Sequence, residues 1–417
     1  MPLMNSTGAL KIQNIDLGYK QYIVVTSGNG SDFYPTETGN AYITPFSDRA
    51  SILKVDNNGN VIYNRLSNSV GTSRFFSSSD TDMYVGGASG NNPYLGKYYS
   101  SGASLIWSYK TSQLLNGTGG TKLITNDITG NIYTIQVGIV SSVVHSTLVK
   151  YDNSGTILFQ KEVLTPTSYV NAMYYDTVNN KLLIAGTNQS SPTKTYLGIY
   201  DPNNGTITPS NTLLVQSSVT NNYSVIDSGL VSDGTYSYQL IQRTVSGTNY
   251  YVYVKTNQTT GVNSYSYSLS IGGNIVELRS IAQDTNYLYI IGVYSGTLGY
   301  VAQINKSDGS ISWGIKLNST TTNINSLYSI KYRDNFLYVS LQLSTGVLNF
   351  IKIRSNGRIN GTYASMTFTP TIASLTSINS DSTSTTTDNQ TVTTYTNSSI
   401  TLSYVNNTGT VTTTAIP

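Results

Sequence analysis

The chain has 417 residues, only 10% of them charged, with 23 Lys and Arg set against 20 Asp and Glu. A net charge of +3, scattered along the sequence, argues against nucleic acid or an anionic membrane as a partner. With no cysteine, disulfides and thiolate metal sites are excluded.

Three glutamates (Glu37, Glu162, Glu277) beside 35 tyrosines and long runs of Ser, Thr and Asn disfavour helices and suit strands. Residues 1–18 lack the basic start and apolar core of a signal peptide. No run approaches the roughly 18 apolar residues that span a bilayer. The expectation is a soluble protein made in a cytoplasm.

The first strand is Tyr22-Ile-Val-Val-Thr-Ser-Gly28. A polar loop with Pro35 and Pro45 leads to Ile52-Leu-Lys-Val-Asp-Asn-Asn-Gly59, an apolar strand that ends in a tight turn. This hairpin recurs as Leu95 to Gly102, Leu148 to Gly155, Leu197 to Gly205, Val252 to Gly261, Val301 to Gly309 and Phe350 to Gly357, the turn glycines lying 43, 53, 50, 56, 48 and 48 residues apart. Asn-Gly at 58–59, 204–205 and 356–357 supplies the positive backbone angles of a reversal. A large aromatic follows the turn in five units: Tyr63, Trp107, Phe159, Tyr265 and Trp313. Another pair of strands around an Asp or Asn turn precedes each hairpin, as in Ala172 to Tyr175 before Leu182 to Gly186, and Ser280 to Gln283 before Tyr287 to Gly292.

Four antiparallel strands in every repeat, seven times over, is the grammar of a β-propeller. One such sheet cannot bury both faces, whereas a closed ring of sheets buries each against the next. The expected fold is therefore all-β: one seven-bladed propeller of four-stranded antiparallel blades over residues 19–369. Residues 1–18 are read as an N-terminal attachment segment or first strand, and 370–417 as a Ser/Thr-rich, β-prone extension. Alternating stretches such as Val392-Thr-Thr-Tyr395 and Ile400-Thr-Leu-Ser-Tyr404 give that extension two readings. It is a flexible tail, or an arm that adds strands to this molecule's outer blades or to a neighbour's.

The hairpin with Lys150-Tyr-Asp152 to Gly155, and the stretch Asn305 to Trp313, resemble the repeat of quinoprotein-type propellers. The resemblance implies fold; the pieces such a protein needs for its cofactor and calcium are not recognisable. The opening Met1-Pro-Leu-Met-Asn-Ser-Thr-Gly-Ala-Leu-Lys-Ile resembles the start of many virion proteins of tailed bacteriophages, with Lys11 in place of the usual serine. That resemblance implies a structural virion component. Its implied partners are other virion proteins in a symmetric multi-copy assembly, and host-surface glycans.

No residue pattern announces chemistry. His145 is the lone histidine, so no multi-histidine metal site exists, and no nucleophile elbow accompanies it. Asp56, Asp152, Asp201 and Asp308 all sit at hairpin turns, where Asp hydrogen-bonds its own backbone. Asp56-Asn-Asn-Gly-Asn60 lacks the later acidic ligand of a calcium loop. A carboxylate pair drawn from distant positions is unmarked. Adjacent tyrosines at 98–99, 174–175 and 250–251 put rings on opposite strand faces, as blade filler or as outward rings able to stack on sugars. The expectation is no catalytic, cofactor or metal residues and no cofactor. The rival readings are a carbohydrate-acting or quinone-linked enzyme and a bacterial surface adhesin.

Overall fold

The computed structural model describes residues 222–346 without a break, most of 120–207 and 348–378, and mainly the strands of the remainder. Among the described residues there is no helix. Seven antiparallel sheets form the blades of one propeller, each blade running in chain order from an inner strand to an outer one. The inner strands are Ser31–Pro35, Gly71–Ser77, Gly120–Asn126, Ser168–Asp176, Asn222–Ser232, Glu277–Gln283 and Ile324–Arg333, and each packs beside the inner strands of its neighbours. Blades are numbered one to seven in that order.

The ring is closed by the N-terminal side of the chain. The first strand, read from the sequence as Tyr22 to Gly28, runs over Tyr19–Val24, residues 25–28 lying outside the described residues. It does not open blade one: it pairs with Leu348–Arg354 and becomes the fourth strand of blade seven. Joining the two ends of the chain in one sheet leaves no seam between first and last blade except this ladder of backbone hydrogen bonds.

The sequence allows the C-terminal segment two readings, and of its alternating stretches residues 392–395 and 400–403 lie outside the described residues. Every described strand of it goes to this molecule's own blades. Met366–Pro370 lies antiparallel on the outer strand of blade six, Ser374–Ser377 on blade five and Thr383–Thr387 on blade four. Thr396–Ser399 then adds to blade two, Tyr404–Asn406 to blade one, and Val411–Ala415 to Tyr19–Val24 in blade seven. The chain thus girdles the ring against the order in which the blades were laid down. Alternating Thr and Ser suit this position, since a β-branched hydroxyl residue favours extended backbone and tolerates water on its outer side. An outer strand with unpaired N–H and C=O groups is a template for aggregation, and the girdle occupies it. The N-terminal strands Leu3–Met4 and Leu10–Lys11 pair with one another.

A repeated contact joins neighbouring blades at four of the junctions. Tyr63, Trp107, Phe159, Tyr265 and Trp313 lie directly across the outer hairpin from Lys54, Lys97, Lys150, Lys255 and Gln303. All five of those partners are buried. The polar ends of four of them, Lys97, Lys150, Lys255 and Gln303, cross to the hairpin turn of the following blade. Lys150 Nζ donates to Pro202 O at 2.8 Å, Lys255 Nζ to Lys306 O at 2.8 Å, and Gln303 Nε2 to Ser355 O at 3.4 Å. Lys97 donates to the side chain of Asn153 and is also paired with Asp82 at 2.9 Å.

The aromatic completes the joint. Trp107 Nε1 donates to Asn153 O at 3.2 Å and Trp313 Nε1 to Ser355 O at 3.1 Å. The turn glycine of the next blade then lies flat on the ring: a Cβ on Gly357 would stand 2.4 Å from Trp313 Cδ2, and one on Gly205 2.7 Å from Phe159. This explains why a lysine, an aromatic and a glycine recur at fixed places. Burying an ammonium is costly unless acceptors meet it, and here a carbonyl and a tyrosine face do so. Lys150 Nζ sits 5.2 Å from the Tyr133 ring centre and Lys255 Nζ 4.1 Å from that of Tyr236.

Candidate functional site: the axial channel

The inner strands carry a second repeated irregularity. Six of the seven break register with their neighbour at the same depth: between Gly71 and Arg74, Thr121 and Leu123, Val170 and Ala172, Val225 and Leu230, Leu278 and Ser280, and Leu327 and Ser329. Such bulges bend a strand, tighten its twist and re-aim the extra side chain. The extra residues are polar where the side chains are described: Lys122, Asn171, Arg279 and Tyr328, with Asp227 inside the wider bulge of blade five. In blades four and six a strand glycine faces the bulge. A Cβ on Gly186 would stand 2.3 Å from Tyr169 O, and one on Gly292 2.6 Å from Glu277 O.

These residues meet across blades. Asp227 accepts from Asn171 Nδ2 at 2.9 Å and pairs with Lys122 Nζ at 3.2 Å, which joins blades three, four and five. Arg279 pairs with Glu277 at 2.7 Å, and Tyr328 donates to Gln342 Oε1 at 2.7 Å. Asn171 Oδ1 and Arg279 Nε are buried without a hydrogen-bond partner.

Toward the end of the ring that carries the hairpin turns, the inner strands of six blades enclose an axial cavity of about 340 Å³. Its wall includes Lys122, Lys331 and Arg333, together with Tyr34, Tyr174, Tyr175 and Tyr332, and has no carboxylate side chain. Arg333 donates to Pro35 O at 3.2 Å, tying blade seven to blade one, and its Nε lies 3.7 Å from the exposed Asp334. Gln283 Nε2 donates to Tyr174 Oη at 2.8 Å and to Ser232 O, while its Oε1 is buried with no donor. Burial pushes the phenols of Tyr174, Tyr175 and Tyr332 above their ordinary range, so they act as neutral groups.

The residues singled out in the sequence lie elsewhere. His145 Nδ1 is 2.6 Å from Glu162 Oε1, a cross-strand pair on the outer half of blade three. Asp152 accepts from Ser154 N, Ser154 Oγ and Thr156 N, all within its own turn; Asp201 accepts from Asn203 N and Asp308 from Ser310 N. These are turn-forming carboxylates. Asp56 ends its strand, the turn after it and Glu37 lying outside the described residues. Glu277 stands in blade six and Glu162 in blade three, too far apart in the ring to form a hydrolytic pair. Of the tyrosine pairs, Tyr98 is buried and Tyr99 is 53% exposed, one ring to each face. Among the described residues no three His, Asp or Glu side chains group closely enough to hold a metal ion.

Sequence reasoning missed the bulge residues. Their signal is a polar residue between apolar ones just where alternation fails, as in Leu278-Arg-Ser-Ile281 and Leu327-Tyr-Ser-Ile330.

No protein-family model and no curated protein matches the sequence. Among solved structures, the chain is similar to the polysaccharide lyase Uly1, with a TM-score of 0.54 and 10% identity over 80% of this chain and 91% of that one. It is also similar to the Dos1 propeller, with a TM-score of 0.50 and 11% identity over 84% of this chain and 80% of that one. At such identities the likeness establishes the fold alone: an all-β, seven-bladed propeller.

Proposed function

We propose that the chain is a non-enzymatic structural component of a bacteriophage virion, exposed on the particle in many copies and contacting other virion proteins and host-surface glycans. The observation that carries this reading is the girdle. A protein displayed at high local concentration has to keep its sheet edges from pairing with those of its neighbours. Here, among the described residues, six of the seven outer edges are covered by strands of the same chain. The phage-like opening residues and the composition, rich in Thr, Asn and Tyr and free of cysteine, point the same way. Mass spectrometry of purified particles, combined with locating the chain in a particle reconstruction, tests it. Absence of the protein from particles that carry its gene product's neighbours would overturn the reading.

A second reading, a propeller that acts on carbohydrate, is favoured by the lysines and tyrosines around the axial cavity and by the likeness to a polysaccharide lyase. Incubating the purified chain with host polysaccharide separates the two readings. Chain cleavage supports the second, and intact polymer leaves the first.

A further inference from the structure

We propose that the axial cavity binds a small organic oxyanion: a carboxylate or phosphate carried on a hydroxylated body of about one sugar ring. The inference stands on the cavity itself and holds whether or not the chain is a virion component.

Three features of the wall lead to it. The first is charge. Lys122, Lys331 and Arg333 come from blades three and seven to one cavity whose wall has no carboxylate side chain. Lys122 has Asp227 for a partner and Arg333 has Asp334 and the Pro35 carbonyl. Lys331 makes no hydrogen bond or ion pair among the described residues. Lys331 thus gives the wall one cation whose charge is not taken up by a neighbouring carboxylate, and such a charge in a low-dielectric channel draws in an anion.

The second feature is an unanswered acceptor. Both amide hydrogens of Gln283 are directed to Tyr174 and Ser232, which leaves Oε1 buried and facing no donor. An acceptor left this way costs about 1–3 kcal/mol unless a donor arrives. A ligand hydroxyl supplies one, and a bare inorganic anion does not. The third is the flank: Met173, Tyr174, Tyr175 and Tyr332 offer apolar and aromatic surface with neutral hydroxyls at the rim. Tyr332 is held in place by stacking on Tyr289, their ring centres 5.3 Å apart. A cation, an acceptor and aromatic walls together specify an anion with a hydroxylated body.

Isothermal titration of the full chain with glucuronate, glucose 6-phosphate, glucose and inorganic phosphate tests this. Saturable binding is expected for one or both charged sugars, with glucose and inorganic phosphate weaker by about tenfold or more, the scale of one charge-assisted hydrogen bond. Preference between the two charged sugars identifies the oxyanion. Lys331→Gln is expected to lose about tenfold in affinity with an unchanged thermal midpoint, and Lys331→Arg to retain binding. The inference is overturned if neither charged sugar binds, if glucose or inorganic phosphate binds as tightly as they do, or if Lys331→Gln binds like the parent.

Discussion

Replacing Gly357 by alanine tests the joint between blades six and seven, and Gly346 provides the control. Both glycines sit in turns of blade seven with left-handed backbone, φ +67° at Gly357 and +83° at Gly346. An alanine therefore meets the same conformational penalty at either, about 1–2 kcal/mol, offset by a few tenths to 1 kcal/mol from the stiffer unfolded chain. The surroundings differ. Around Gly346 nothing lies within 4 Å of the added methyl, whereas at Gly357 it meets Trp313 Cδ2 at 2.4 Å and Cγ at 2.7 Å. The indole cannot simply retreat, because its Nε1 is bonded to Ser355 O at 3.1 Å. Overpacking of this kind costs about 1–3 kcal/mol. Gly346→Ala should thus lose roughly 1 kcal/mol, and Gly357→Ala roughly 2–4 kcal/mol. Urea unfolding at equal m-values measures both. In a Trp313→Ala background the excess at Gly357 should shrink to the Gly346 value. If the two alanines agree within about 0.5 kcal/mol, or if the excess survives removal of the indole, the ring-on-glycine joint is not what holds these blades.

Three further outcomes are expected. A chain ending at Ile378 keeps all seven blades but uncovers the outer edges of blades four, two, one and seven; it should fold and then associate with rising concentration, and a monodisperse light-scattering profile would count against the girdle's role. Lys150→Met should change stability by no more than about 1 kcal/mol, because Pro202 O keeps its bond from Tyr133 Oη at 2.9 Å and Asp127 keeps those from Thr129 and Asn131; Lys150→Ala, which leaves a cavity, should cost about 2 kcal/mol or more in the same unfolding assay. Burial raises the phenols of Tyr133, Tyr238, Tyr253, Tyr265 and Tyr289 above their ordinary 10.0, and that of Tyr300 to about 12. The stability gained by keeping these groups neutral is complete below pH 10 and is lost as pH climbs, each costing about 1.4 kcal/mol per unit. The lowered Lys150, Lys255 and Lys306 act in the opposite sense but are fewer. The tyrosinate absorbance of these buried phenols should therefore appear together with loss of the β signal, and ionisation of all 35 tyrosines in a protein that keeps its β signal would refute it.

The blades were legible because each is marked by local chemistry. Gly155, Gly205, Gly309 and Gly357 announce turns through their positive φ, and Tyr63, Trp107 and their counterparts mark the strand that follows. What local sequence does not carry is where a strand's partner lies. Tyr19–Val24 reads as the opening of blade one because it precedes blade one. It closes blade seven because a ring brings its ends together, and no neighbouring residue encodes that. The terminal segment was legible as strands through its alternation, and illegible as a girdle for the same reason. In the channel, the bulges left a trace in Gly186 and Gly292, glycines inside strands where another backbone approaches. The cavity wall of lysine, arginine and tyrosine, drawn from several blades, follows only from the closed ring.

The girdle also fixes when the molecule can be finished. Its strand Val411–Ala415 pairs Ala415 with Lys20, so strands very distant in sequence share one ladder. Hairpins and whole blades can form as the chain leaves the ribosome, since their contacts are local. The seventh blade cannot: it waits for Ile324–Arg333 and the two strands after it, then receives Tyr19–Val24 and lastly Val411–Ala415. Contacts this distant in sequence are slow to close, and partly closed rings expose edges meanwhile. Completion therefore waits on the most distant pairing in the fold, and until Val411–Ala415 docks the protein is most exposed to its own copies.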